Sequence, residues 1–129
     1  MYYVADTHSL IWYLTEDKKL GKKALSIFVK ADRGEVVIIV PTIVLAEAIS
    51  ICEKKKAELK IKSIIEKIKN SLNYIPYNLN IEVLEKVITI KNISEMHDRI
   101  ITAIAVITEA ALLTKDKDII NSGIVKIIW

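Results

Sequence analysis

Four carboxylates in this sequence could do chemistry together: Asp6, Glu47, Asp98 and Asp116. Asp6 follows Tyr2-Tyr3-Val4-Ala5, an aromatic and β-branched run that reads as a buried strand. Asp116 follows Ala111-Leu112-Leu113-Thr114, a second short strand. Asp98 opens the helix that leads into that strand, so all three acids belong to one sheet edge. Glu47 lies in a helix after Pro41, with Ile43, Val44 and Ile51 at i−4, i−3 and i+4, a spacing that turns it toward the core stripe. Each acid alone has a structural explanation. Asp6 and Asp98 can cap helices or sit in a first turn. Glu47 can pair with Arg99 or Lys115, or lie at the edge of the stripe. Together they repel one another, and a bound cation best explains the cluster. Ligands that are all oxygen select hard ions, Mg²⁺ or Mn²⁺. Ions of that kind suit phosphodiester hydrolysis, where they activate water and neutralise charge on the leaving oxygen.

The elements that must position these acids alternate. Helices are predicted from Thr7 to about Thr15 and from Gly21 to Ala31, the latter closing at Arg33-Gly34. Val36 to Val40 is a continuous β-branched run, the pattern of a strand buried on both faces. A helix follows Pro41-Thr42 to about Lys54. Ala57 to Asn70 is an amphipathic helix, Leu72 to Tyr77 a short strand, and Asn80 caps a helix to about Lys91. Ser94 to His97 reads as a connector. The helix opened by Asp98 runs to about Ala110. Lys115 to Asn121 is a polar turn with room for one helical turn, and Ile124 to Trp129 a final strand. Connections too long for hairpins imply an α/β fold with a mostly parallel central sheet and helices on both faces. In such sheets the working site lies beyond the carboxyl ends of the strands.

The chain of 129 residues has the size of one domain, and 52% hydrophobic content supports a real core. No apolar run is long enough to span a membrane and no signal peptide is visible, so a cytoplasmic protein without a membrane partner is expected. Cys52, the only cysteine, fits a helical apolar pattern as a small hydrophobe. A net charge of +3 permits an anionic partner without demanding one.

Asp6-Thr7-His8 followed by Leu10-Ile11-Trp12, then Glu47, then His97-Asp98-Arg99, then Leu113-Thr114-Lys115-Asp116, resembles a PIN-domain ribonuclease. It is similar in particular to the toxin subunit of VapBC-type toxin–antitoxin pairs. The likeness spans nearly the whole chain, 1–129, as one PIN domain. The resemblance implies metal-dependent endonuclease cleavage of RNA. By position, Asp6, Glu47, Asp98 and Asp116 would form the acidic site. Asp6, Asp98 and Asp116 would hold Mg²⁺ or Mn²⁺, and Glu47 would ligate the ion or orient the attacking water. Thr7 and Thr114 would support the acids by hydrogen bonding. A homodimer and a cognate antitoxin that inserts a peptide near the acids are implied as partners. Glu95-Met96-His97 replaces the Asp-Pro-Phe often found before the Asp-Arg pair in this family.

Other residues have a functional and a structural reading. Arg99 either contacts phosphate or neutralises the acids. His8 and His97 flank the acids, but helix-start hydrogen bonding or solvent exposure is their commoner fate. The lysines at 54–56, 60 and 62, and at 18, 19, 22 and 23, read as solvated faces before they read as RNA guides. Trp12 reads as core or a partner surface before a base-stacking platform. Asp118 reads as a polar-turn residue. The alternative to a nuclease is a non-catalytic RNA- or protein-binding module on the same fold, with the acids as caps. A receiver-type domain would want a second acid next to Asp6, where Thr7 stands.

Overall fold

The computed structural model describes residues 1–56 and 58–129. The expected helix start at Ala57 lies outside the described residues. In chain order the elements are β1 (Tyr2–Ala5), α1 (Thr7–Leu14), α2 (Lys22–Asp32), β2 (Val37–Pro41), α3 (Thr42–Lys54), α4 (Glu58–Asn70), β3 (Tyr74–Tyr77), α5 (Ile81–Thr89), α6 (Met96–Ile107), β4 (Ala111–Leu113), α7 (Lys117–Ser122) and β5 (Ile127–Ile128). The strands form one sheet in the order β3-β2-β1-β4-β5, and every pairing is parallel.

Handedness turns this order into a layered molecule. The chain moves outward from β1 to β2 to β3 through α1–α4, then crosses back to β4 through α5 and α6. Right-handed crossovers run in opposite directions on the two sides of β1, so the two sets of helices cover opposite faces. The order reverses between β1 and β4, where Val4 pairs with Leu112 and Ala5 with Leu113. The carboxyl ends of these two strands therefore flank a crevice, and Asp6 and Asp116 follow directly.

Continuous apolar strands make the sheet the centre of the core. Val4, Ala5, Ile38, Val40, Leu112 and Leu113 are fully buried, each strand being covered on both sides. Leu10, Phe28, Ala48, Ile64, Val83 and Ile104 bring one face of each covering helix onto it. Phe28 also stacks on Tyr13, with ring centroids 4.5 Å apart.

Several predicted boundaries shift. β3 begins at Tyr74 rather than Leu72, and Leu72 is left 90% exposed. α5 stops at Thr89 rather than Lys91. The last strand shrinks to Ile127–Ile128, because only those residues have a partner on β4. Asp98 does not open its helix. α6 starts at Met96, and Asp98 lies in its first turn. The polar turn after β4 contains a helix, α7, ended by Gly123 at φ +67, a left-handed value that favours glycine.

Candidate active site

The acids meet at the crevice. Asp6, Glu47, Asp98 and Asp116 all line one cleft of about 460 Å³, together with Thr7, His8, Trp12, Glu95, His97, Ile101, Lys115 and Trp129. Each acid reaches the cleft by a different local device. Asp6 and Asp116 are N-caps as well as strand-end residues. Asp6 accepts a 2.8 Å hydrogen bond from the Ser9 backbone N–H, and Asp116 a 3.0 Å bond from the Ile119 N–H. In both cases Oδ1 makes that capping bond, and the second carboxylate oxygen is not engaged by the cap. Thr114 joins the two positions: its hydroxyl accepts from the Asp116 N–H at 3.0 Å and hydrogen-bonds the Asp6 carboxylate.

Asp98 caps nothing, and no side chain or backbone N–H among the described residues donates to it. Burial, then the charges of Asp116, Glu95, Asp6 and Asp118, push its carboxyl up to about 7. Burial raises Asp6 too, against the opposing hydrogen bonds from Thr114 and Ser9 and the nearby His8. Among the described residues, Asp6, Asp98 and Asp116 are left without a salt-bridge partner: no lysine, arginine or histidine forms an ion pair with them.

Glu47 departs from its predicted orientation. The buried stripe of α3 is Val44, Leu45, Ala48 and Cys52, while Ile43 and Ile51 are only half-buried. Glu47 therefore lies at the stripe's edge, with its side chain 38% exposed, and faces the cleft instead of the core. Its partner is neither Arg99 nor Lys115. Oε2 lies 3.5 Å from His97 Nε2, which is also 3.2 Å from the Thr7 hydroxyl. Thr7 is buried, so it holds this imidazole from α1 while His97 approaches from α6.

Arg99 does not line the cleft, and its Nε is buried with no partner among the described residues. Asp118 is exposed in the first turn of α7, close enough to raise Asp98 but not lining the cleft. Glu95 is the acid that sequence reasoning missed. Reading Ser94 to His97 as a connector hid the fact that Glu95 is the N-cap residue of α6, three positions before Asp98 and on the same side of the helix.

The donor set is all carboxylate at its centre, the chemistry of a hard divalent cation. Among the described residues, no three carboxylate, imidazole or thiol side chains converge tightly enough to hold an ion as they stand.

At the level of sequence, no curated protein matches this chain. The fold is similar to solved structures at low identity. One is the VapBC2 complex of Rickettsia felis bound to a promoter DNA fragment, with TM-score 0.73 and 15% identity over 98% of this chain and 97% of that one. Another is VapC20 of Mycobacterium tuberculosis, a toxin that cleaves the sarcin–ricin loop, with TM-score 0.71 and 13% identity over the full length of both chains. A third is a toxin–antitoxin complex from Klebsiella pneumoniae, with TM-score 0.67 and 17% identity over 90% of this chain and 88% of that one. The sequence profile of the PIN domain matches residues 3–123, and the chain therefore belongs to the PIN-domain family.

Proposed function

We propose that this protein is a metal-dependent endoribonuclease, the toxin of a toxin–antitoxin pair, which hydrolyses RNA phosphodiester bonds in the acidic cleft. The observation that carries this reading is the convergence of Asp6, Glu47, Asp98 and Asp116 on one cleft, where Asp98 neither caps its helix nor pairs with a basic side chain among the described residues. A structural acid would be paired or would cap a helix. Membership of the PIN family and the likeness of the fold to toxin structures support it.

In this reading Asp6, Asp98 and Asp116 hold Mg²⁺ or Mn²⁺. Glu47 orients the attacking water or completes the ligand set. The bound ion supplies an activated water and neutralises charge on the leaving oxygen. The chain's own contribution is orientation. Capping through Oδ1 fixes the Asp6 and Asp116 carboxylates, and the Thr114 hydroxyl ties the Asp6 carboxylate to the Asp116 backbone. His97, itself held by the Thr7 hydroxyl, steadies Glu47 in the cleft. A homodimer, a cognate antitoxin and a cytoplasmic location complete the proposal. Among the described residues, no helix is long and apolar enough to cross a membrane.

The capping bonds of Asp6 and Asp116 are what a non-catalytic binding module would also need, but such a module gives Asp98 no task. Calorimetric titration with Mn²⁺ separates the two. The wild-type protein should bind Mn²⁺ and cleave RNA in its presence. Asp6→Asn should lose both while unfolding cooperatively near the wild-type temperature. Cleavage by Asp6→Asn at the wild-type rate, or RNA binding by the wild type with no effect of any divalent ion, would rule out this function.

A further inference from the structure

The cleft also has a wall, formed by Trp12, Lys115 and Trp129, that metal-dependent hydrolysis leaves without a role. Trp12 and Trp129 are the chain's two tryptophans, and both line the cleft. They meet edge to face, with ring centroids 5.9 Å apart and planes at 67°. Trp12 is 8% exposed and is explained by core packing. Trp129 is only partly buried. It is brought to the cleft by an unusually close approach to Gly21, where a Cβ would lie 2.5 Å from the Trp129 carbonyl carbon and 2.6 Å from its Cδ1. Gly21 has φ −64, open to any residue, so clearance for the tryptophan is what the missing side chain provides.

Lys115 completes the wall. Its ammonium lies 4.8 Å over the Trp12 ring and it lines the cleft beside Asp116. No carboxylate among the described residues comes within ion-pair distance of it. A lysine held on an aromatic face, unpaired among acids, is available to an anion that arrives from outside.

We infer that this wall is a nucleotide subsite: Trp129, backed by Trp12, stacks one unpaired RNA base beside the scissile bond, and Lys115 meets a neighbouring phosphate. The inference rests on the ribonuclease reading above and adds how the substrate is held. Every base has a π-face, so an indole accepts any of them, while a lysine reads phosphate as a point charge. The cleft, of about 460 Å³, has room for a nucleotide beside the acids.

The test measures anisotropy of a labelled, short single-stranded RNA of randomised sequence in chelator, with cleavage of the same RNA in Mn²⁺ measured in parallel. Trp129→Leu should weaken binding about ten- to hundredfold, and Trp129→Tyr should restore most of it. RNA with abasic residues should bind the wild type more weakly by a similar factor and lose its dependence on residue 129. That comparison also decides the matter if Trp129→Leu does not fold. Lys115→Met should lower the salt dependence of binding by about one counterion. Equal affinity of the wild type and Trp129→Leu for intact RNA, or of the wild type for intact and abasic RNA, overturns the subsite; cleavage in Mn²⁺ would then leave the nuclease reading standing. Binding that depends on Trp129 without cleavage in any divalent ion upholds the subsite and overturns the nuclease reading.

Discussion

Asp98→Asn should abolish RNA cleavage and at the same time raise the melting temperature of the metal-free protein above neutral pH. The two effects share one cause. The Asp98 carboxyl is pushed up to about 7, first by burial and then by Asp116, Glu95, Asp6 and Asp118. Its folded value thus lies above the unfolded value of 3.8. For such a group the folded state binds more protons, so the associated stability is present below the unfolded value and is lost as pH rises through the folded one. Asparagine carries no proton to lose and escapes that penalty. The variant's advantage should be absent near pH 4 and largest at about pH 8. Asp98 is only partly buried, so solvent screening reduces the gain to ~1 kcal/mol, about 4 °C for a chain of this size. Adding Mn²⁺ should invert the order, because the wild type gains a ligand and the variant does not. Cleavage should fall about a thousandfold or more, since electrostatic stabilisation by a bound ion is worth several kcal/mol. Thermal melts from about pH 4 to 8, with and without Mn²⁺, check this beside a cleavage assay. A variant that is less stable at every pH would show that Asp98 supports the fold and is not held there against its charge.

The positions of the acids were legible because each is tied to a local signal. Asp6 and Asp116 end apolar strand runs, and parallel-sheet topology brings such ends to one edge. Their capping bonds and their place in the cleft coexist, because a carboxylate has two oxygens and a cap engages one. Glu47 was legible as a helix residue but not in its direction, since three apolar neighbours were read as core and two of them are half-buried at the margin. Glu95 was hidden by a helix start placed too late, at Asp98 instead of Met96. No periodicity predicts that Gly21 clears space for Trp129, because the two residues come together only after the sheet has closed the chain on itself. His97 bridging Thr7 and Glu47 is of the same kind, a contact between α1, α3 and α6 across 90 residues of sequence for its longest link.

Asp32 is the residue whose importance sequence reasoning had least means to see, and Asp32→Asn should be the most destabilising charge-removing substitution in the fold. Three donors from distant segments converge on this carboxylate. Tyr74 gives Oδ1 a 2.8 Å hydrogen bond from β3, Lys67 gives the same oxygen a 2.6 Å bond from α4, and the Tyr13 hydroxyl of α1 donates to Oδ2. Burial pushes the Asp32 carboxyl up, but the hydrogen bonds from Lys67, Tyr13 and Tyr74, with the charge of Lys67, outweigh it and hold the carboxyl below its usual range. Both tyrosine hydroxyls are correspondingly pushed up, by burial first and then by the carboxylate. Asparagine would turn one acceptor into a donor facing donors. Tyr74 is 2% exposed, so its hydroxyl has little water to turn to. Hydrogen bonds to a charged group are worth about 1.5–3 kcal/mol, and the loss here should be near the top of that range, roughly 10 °C in melting temperature. Tyr74→Phe, which leaves Asp32 two donors, should cost about 1 kcal/mol, and Lys67→Met, at the exposed rim, less still. The pH dependence runs opposite to that of Asp98. A lowered folded value means the contribution is present above the unfolded value and is lost as pH falls through the folded one, so the deficit of Asp32→Asn should shrink only in acid. Because α1 also carries Thr7, His8 and Trp12 into the cleft, a melt that shows this deficit should be accompanied by weaker Mn²⁺ binding only if the Asp32 anchor also sets the position of α1 at the acids. Unchanged Mn²⁺ affinity in a destabilised variant would mean that the active-site end of α1 is fixed by its Asp6 cap alone.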